Sequence, residues 1–242
     1  MRLQETLSGT QAVVTGAAGG IGGAVAAELV GQGATVYGFD IATAADLPGV
    51  TQIECDVTDP QSVARASESL KDVTEVVDVL VVAAGRFPSR RVEEWTSDEF
   101  EDLWRLNVAG ALSVIQALLV QLRRSNHGRI ILISSSAVHQ GIPGFVPYAA
   151  TKAAMIGMAR SLAAELGPDG ITVNVVTPGL TATQAALDGD VAQFFDGVVA
   201  SQMIKRRLEP TDLAPGIAYL CSPGADMVTG QVLNIDGGSV TY

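Results

Sequence analysis

Cysteine is scarce: Cys55 and Cys221 are the only two in 242 residues, too few for a disulfide framework and without the spacing of a metal site. Reduced thiols and no bound metal are expected. Basic residues are also few. Fifteen Lys and Arg stand against 26 Asp and Glu, a formal charge of −11 that disfavours nucleic acid and anionic membrane surfaces as partners. No apolar run reaches the roughly 18 residues that a membrane span needs. A Gly-rich motif within the first twenty residues leaves no room for a signal peptide, so a cytoplasmic location is expected. No linker, charge block or repeat divides the chain, which reads as one domain over residues 1–242.

What is plentiful is Ala, Val and Gly within a 48% hydrophobic composition, the signature of strands buried on both faces. Apolar runs at 11–15, 34–40, 50–55, 78–85, 129–136, 171–176 and 231–236 read as strands. Helical stretches at 24–30, 61–72, 95–124, 149–166 and 213–221 alternate with them. The pattern predicts an α/β fold, a doubly wound parallel sheet with helices on both faces. Residues 184–210 are the least patterned and read either as a flap over a pocket, beginning near 181, or as a plain helical connection.

The first strand runs into Gly16-Ala-Ala-Gly19-Gly20-Ile21-Gly22 and then a helix. Glycines there permit a tight turn and a close backbone approach, and the helix start offers free N–H groups to a pyrophosphate. Asp40 ends the second strand eighteen residues after Gly22, where a carboxylate binds ribose hydroxyls and repels a 2′-phosphate. No Arg or Lys lies between Thr10 and Asp59, so NAD is expected rather than NADP. Asp56 is placed to accept from an adenine amino group, Asp59 to cap a helix. Asn107 falls inside an apolar helix, an unfavourable place unless its amide is bonded.

Residues 134–152 put hydroxyls (Ser134, Ser135, Ser136) at a strand's carboxyl end and Tyr148 one helical turn before Lys152. A cation about 4 Å from a phenol is worth roughly 4 kcal/mol at an effective dielectric near 20, about three pKa units before desolvation is subtracted. The same spacing also describes an ordinary surface pair, and each serine an ordinary turn residue.

Taken together, Thr15–Gly22, Asn107, Ser135, Tyr148-Ala-Ala-Thr-Lys152 and Pro178-Gly179 resemble the short-chain dehydrogenase/reductase family across essentially the whole chain. The resemblance implies Tyr148 as acid/base, with Lys152 binding the nicotinamide ribose and lowering the tyrosine's pKa. It further implies that Ser135 orients the substrate carbonyl and that the helix backbone at Asn107 holds a proton-relay water. The implied NAD site comprises Gly16, Gly19, Gly20, Ile21 and Gly22, then Asp40 with Ile41 and Asp56 with Val57. Ala83, Ala84 and Gly85 continue it, and Pro178, Gly179, Thr181 and Thr183 meet the nicotinamide side beside Tyr148 and Lys152. Where the family commonly has Asn-Asn-Ala-Gly, this chain has Val82-Ala83-Ala84-Gly85, which puts that loop's rigidity in question. A homotetramer is the usual assembly of such proteins.

The expected reaction is interconversion of a secondary alcohol and a ketone. Val138, Ile142, Phe145, Phe194 and Phe195, with Ser135 and Tyr148, suggest a pocket for an aryl-alkyl or cyclic substrate. The flap and C-terminal section resemble aryl-alkyl carbinol dehydrogenases. The alternatives are a 3-oxoacyl-carrier-protein reductase, against whose usual NADPH preference Asp40 speaks and for which the basic run Lys205-Arg206-Arg207, itself readable as a solvated turn, speaks only faintly, and a non-catalytic NAD sensor or scaffold.

Overall fold

Strand residues of alternating direction feed two separate cores. Val13, Leu80, Val82, Ile130 and Leu132 face one helix layer, while Ala12, Val14, Val79, Val81, Ile131 and Ile133 face the other. In the computed structural model, which describes residues 6–42 and 47–241, these strands form one parallel sheet. They are β1 (Gln11–Thr15), β2 (Thr35–Asp40), β3 (Val50–Glu54), β4 (Val79–Val82), β5 (Arg129–Ile133), β6 (Thr172–Pro178) and β7 (Val232–Ile235). Their order is β3-β2-β1-β4-β5-β6-β7. The order reverses between β1 and β4, which opens a crevice at the carboxyl ends of the strands.

Helices α1 (Gly20–Gly31), α2 (Pro60–Lys71), α3 (Ser97–Trp104) and α4 (Gly110–Leu122) precede β5. After it come α5 (Ala137–Gln140), α6 (Val146–Leu166), α7 (Gln184–Leu187), α8 (Phe195–Ser201) and α9 (Pro210–Cys221). Layer one is α2, α4 and α6; layer two is α1 and α9. Asp59 caps α2 by accepting from the Gln61 N–H at 2.9 Å, as its position suggests. A reciprocal Thr96–Glu99 box starts α3.

The expected single helix at 95–124 is continuous but not uniformly α: Arg105–Ala109 form a π turn, with Asn107 at its middle. By length and composition Ser97–Leu122 is apolar enough to cross a membrane. Here it is a core helix, with Val114, Ile115, Leu118 and Leu122 fully buried against the sheet.

Residues 181–210 leave and rejoin the body at one point. Thr181 bridges Leu208, and the Ala182 N–H reaches the Leu208 carbonyl at 2.8 Å. Both Met203 and Ile204 donate to the Gly237 carbonyl at 2.9 Å, which fastens the segment to the turn after β7.

The Gly-rich turn is packed to its limit. Gly16 has φ +68°, and a Cβ on Gly22 would lie 2.1 Å from the Gly16 carbonyl oxygen. Gly22→Ala is therefore expected to lose about 1–3 kcal/mol of stability through forced displacement of the turn. Gly31→Ala, with nothing within 4 Å of the added carbon, is expected to be neutral or slightly stabilising. Urea unfolding of both variants measures the contrast, and equal midpoints would refute the packing argument.

Candidate active site

At the crevice, α1 starts without a side-chain cap and without an acid in its first turn. Its first N–H groups are left to an anion. Asp40 stands beside it, at the end of β2. One of its oxygens accepts from the Ala18 N–H at 2.9 Å and the other from the Ala42 N–H at 3.1 Å. Both oxygens are thus oriented, and each keeps a lone pair for a hydroxyl.

Two cavities share this crevice. One of about 570 Å³ is lined by Asp40, Ile41, Asp56, Val57 and Ala84. The other, of about 250 Å³, is lined by Gly20, Ile21, Gly22, Ser135, Tyr148, Lys152, Pro178, Gly179, Thr181 and Thr183. They meet at Gly16, Gly19, Ala83, Gly85 and Arg86. Every residue expected at the dinucleotide lies on one or both walls, and the two-lobed space with an oriented acid at one end fits such a cofactor. Asp56 is partly committed: one of its oxygens accepts from the Thr58 N–H at 2.8 Å and hydroxyl at 2.7 Å.

Ser135, Tyr148 and Lys152 converge in the smaller cavity because β5 ends beside the first turns of α6. Pro147 lies in the first turn of α6, where its missing N–H has no helical partner to lose. Ser134 is not exposed to the cavity's chemistry in the same way. Its hydroxyl donates to the Lys152 carbonyl at 2.7 Å and ties β5 to α6. The Lys152 ammonium donates to the Ile133 carbonyl at 2.8 Å and lies 5.9 Å from the Tyr148 ring centre.

This placement corrects the expected electrostatics. Burial pushes the Tyr148 phenol up to about 12, against the opposite pull of its hydrogen bond with Ser135. Burial likewise pushes the Lys152 ammonium down to about 8. Desolvation outweighs attraction because the ammonium is directed to a carbonyl rather than to the phenol oxygen. At neutral pH the pair is a protonated phenol beside a cation.

Asn107 is 1% exposed and lines neither cavity. Its amide oxygen accepts from the Arg86 N–H, and its amide nitrogen donates to the Arg86 carbonyl and the Thr151 hydroxyl, all at 3.0 Å. It is a clamp between the loop after β4 and α6.

That loop is firm despite lacking side-chain amides of its own. The Thr15 hydroxyl, fully buried, accepts from both the Ala83 and Ala84 N–H groups at 3.1 Å. Sequence reading missed Thr15, whose partners lie nearly seventy residues downstream.

The substrate wall also differs from expectation. Ile142 and Phe145 line it, but Val138 does not. Phe194 is 43% exposed and points away, and Phe195 is buried behind the wall against Phe145 rather than on it. Phe87, Gln140, Leu180, Val191, Val198 and Ser239 supply lining that the sequence did not reveal. Thr15→Val keeps the shape but removes the acceptor for two part-buried N–H groups. It should lose about 1–3 kcal/mol, read as a lower urea midpoint at unchanged slope; an unchanged midpoint would refute the tether.

The comparisons agree with this geometry. A family model described as enoyl-(acyl carrier protein) reductase matches residues 16–240. The 3-oxoacyl-[acyl-carrier-protein] reductase MabA of Mycobacterium tuberculosis is 36% identical over 228 residues, 93% of this chain and 91% of that protein. The 2,3-dihydro-2,3-dihydroxybenzoate dehydrogenase of Escherichia coli is 34% identical over 246 residues, 96% of this chain and 97% of its own. A solved short chain dehydrogenase/reductase family protein superposes with a TM-score of 0.86 at 34% identity, covering 96% of this chain and 98% of that one. With both sequence and fold matched end to end, the chain belongs to the short-chain dehydrogenase/reductase family and is an oxidoreductase working between hydroxyl and keto groups.

Proposed function

We propose that the chain reduces 3-oxoacyl thioesters to their 3-hydroxy forms with NADH. The observation that carries this reading is the convergence of Ser135, Tyr148 and Lys152 on one largely apolar cavity, where burial raises the phenol's pKa. A phenol held neutral at working pH is a proton donor, as reduction of a ketone requires. The similarity to a 3-oxoacyl reductase supports the substrate class. In this reading Ser135 holds the ketone oxygen, Tyr148 gives it a proton, and the Lys152 charge stabilises the oxygen's developing negative charge. Bound in the two cavities, the nicotinamide dinucleotide supplies the hydride. Asp40, fixed by two backbone N–H groups, favours NADH by repelling a 2′-phosphate.

A cyclic or aryl-alkyl ketone is the second reading. It is favoured by Phe87 and Phe145 on the wall, and by the similarity to a dehydrogenase whose name specifies a cyclic diol. Residues 181–210 act as the flap over either substrate. The exposed apolar side chains Leu112 and Val120 on α4 and Tyr219 on α9 support a homo-oligomer, taken as a tetramer in a cytoplasmic setting.

Comparing NADH and NADPH oxidation with acetoacetyl-coenzyme A, a cyclic ketone and an aryl methyl ketone tests both readings. Fast NADH-linked thioester reduction is expected. Preference for the aryl or cyclic ketone would move the assignment to the second reading, and preference for NADPH would remove Asp40's role.

Tyr148→Phe should lower turnover roughly 10²–10⁴-fold and leave NADH affinity intact; a fully active variant would sink the assignment. The pH dependence has a definite sign. Lys152 is charged below its lowered value of about 8 and neutral above it. Reduction should be flat below that point and fall about tenfold per unit above it. A rate that stays level to pH 10 would take the lysine's charge out of the reaction.

A further inference from the structure

Among the described residues Arg86 is the only charged one where the two cavities meet, the other four there being Gly16, Gly19, Ala83 and Gly85. Its backbone is immobilised on both sides, N–H and carbonyl each bonded to the buried Asn107 amide at 3.0 Å. Its side chain is free. Among the described residues every other arginine except Arg160 is paired with a carboxylate, in a protein whose acids outnumber its bases 26 to 15. A guanidinium left unpaired in so acidic a chain, on a fixed backbone at a cavity wall, is placed for an anion that the protein itself does not provide.

The opposite wall narrows the anion. The loop after β4 leans directly on the Gly-rich turn: a Cβ on Gly16 would lie 2.8 Å from the Ala84 nitrogen. Arg86 shares the walls of both cavities with Gly19, the residue from which α1 starts, and that helix has neither a capping side chain nor an acid in its first turn. An anion held at this seam faces helix N–H groups on one side and a cation on the other. A substrate anion would lie in the smaller cavity alone, where Ser135 and Gln140 are. The group that must cross the seam is the one joining the two halves of a dinucleotide.

We infer that Arg86 clamps the diphosphate of the cofactor against the first turn of α1. This rests on the proposed occupancy of both cavities by NADH. The inference also accounts for the way Asn107 is used. A clamp on the backbone of residue 86 fixes where the guanidinium can reach, so Asn107 acts on the cofactor through Arg86 as well as on α6 through Thr151.

Calorimetric titration of wild type, Arg86→Ala and Arg86→Lys with NADH and ADP-ribose, together with NMR titration of adenosine, tests it. The arginine side chain is exposed and its backbone bonds survive substitution, so the variants should fold, which circular dichroism checks. Arg86→Ala should weaken NADH and ADP-ribose roughly tenfold and leave adenosine unchanged, and Arg86→Lys should recover part of the loss. Equal ADP-ribose affinity in wild type and Arg86→Ala overturns the clamp while leaving the reductase reading standing. Equal ADP-ribose affinity with a raised KM for an anionic substrate overturns it in favour of a substrate contact. A wild type that binds no dinucleotide overturns both readings.

Discussion

Three hydrogen bonds from one buried amide hold the site in register. Asn107 sits in a π turn, where the helix widens by one residue. From there it fastens the loop after β4 and the first turns of α6. Those two segments carry Gly85 and Lys152, which approach each other so closely that a Cβ on Gly85 would lie 3.4 Å from the ammonium. A buried polar side chain in an apolar helix is costly unless fully bonded, and here each bond made to satisfy it also positions a functional segment.

Burial rather than pairing sets the protonation states. The phenol and the ammonium are both moved toward neutrality, upward for Tyr148 and downward for Lys152, because each has left water for a mostly apolar cavity. The ammonium keeps its charge at neutral pH with the help of the Ile133 carbonyl at the end of β5. This makes the strand end a participant in the electrostatics. A parallel sheet delivers several such carbonyl ends to one edge, and the catalytic group that needs a dipole finds it there without further design.

The sheet, the Gly-rich turn and the Ser135–Tyr148–Lys152 set were legible in the sequence, because each rests on local periodicity or short spacing. Asp40 was legible for the same reason. What escaped depends on contacts between distant segments. Thr15 lies on an expected strand, and nothing in its neighbourhood announces that it will receive two N–H groups from the loop after β4. Arg86 reads as an ordinary loop cation until the two cavities are seen to meet beside it. Phe194 and Phe195 are adjacent at the start of a helix, so their side chains diverge by about 100° and only one can turn inward; sequence cannot say which. The lowered phenol pKa inferred from spacing failed because spacing carries no information on desolvation.

The basic run Lys205-Arg206-Arg207 bears on what the proposed enzyme recognises. Arg206 forks onto Asp212 at 2.6 and 2.7 Å, and Arg207 faces Asp196 at 3.5 Å while lying 5.0 Å over the Phe195 ring. Lys205 donates to the Ala200 carbonyl at 2.7 Å. Exposed pairs of this kind add little stability, but they matter for the field: charges already faced by carboxylates offer little attraction to an acidic carrier, least of all in a protein of net charge −11. The run instead braces the 181–210 segment, with Arg207 reaching back to the aromatic side chain buried behind the substrate wall. Under the proposed reading, selectivity then rests on the acyl group meeting Phe145, Ile142 and Val191 and on the ketone meeting Ser135 and Tyr148. A thioester is distinguished by what enters the cavity rather than by the macromolecule that delivers it.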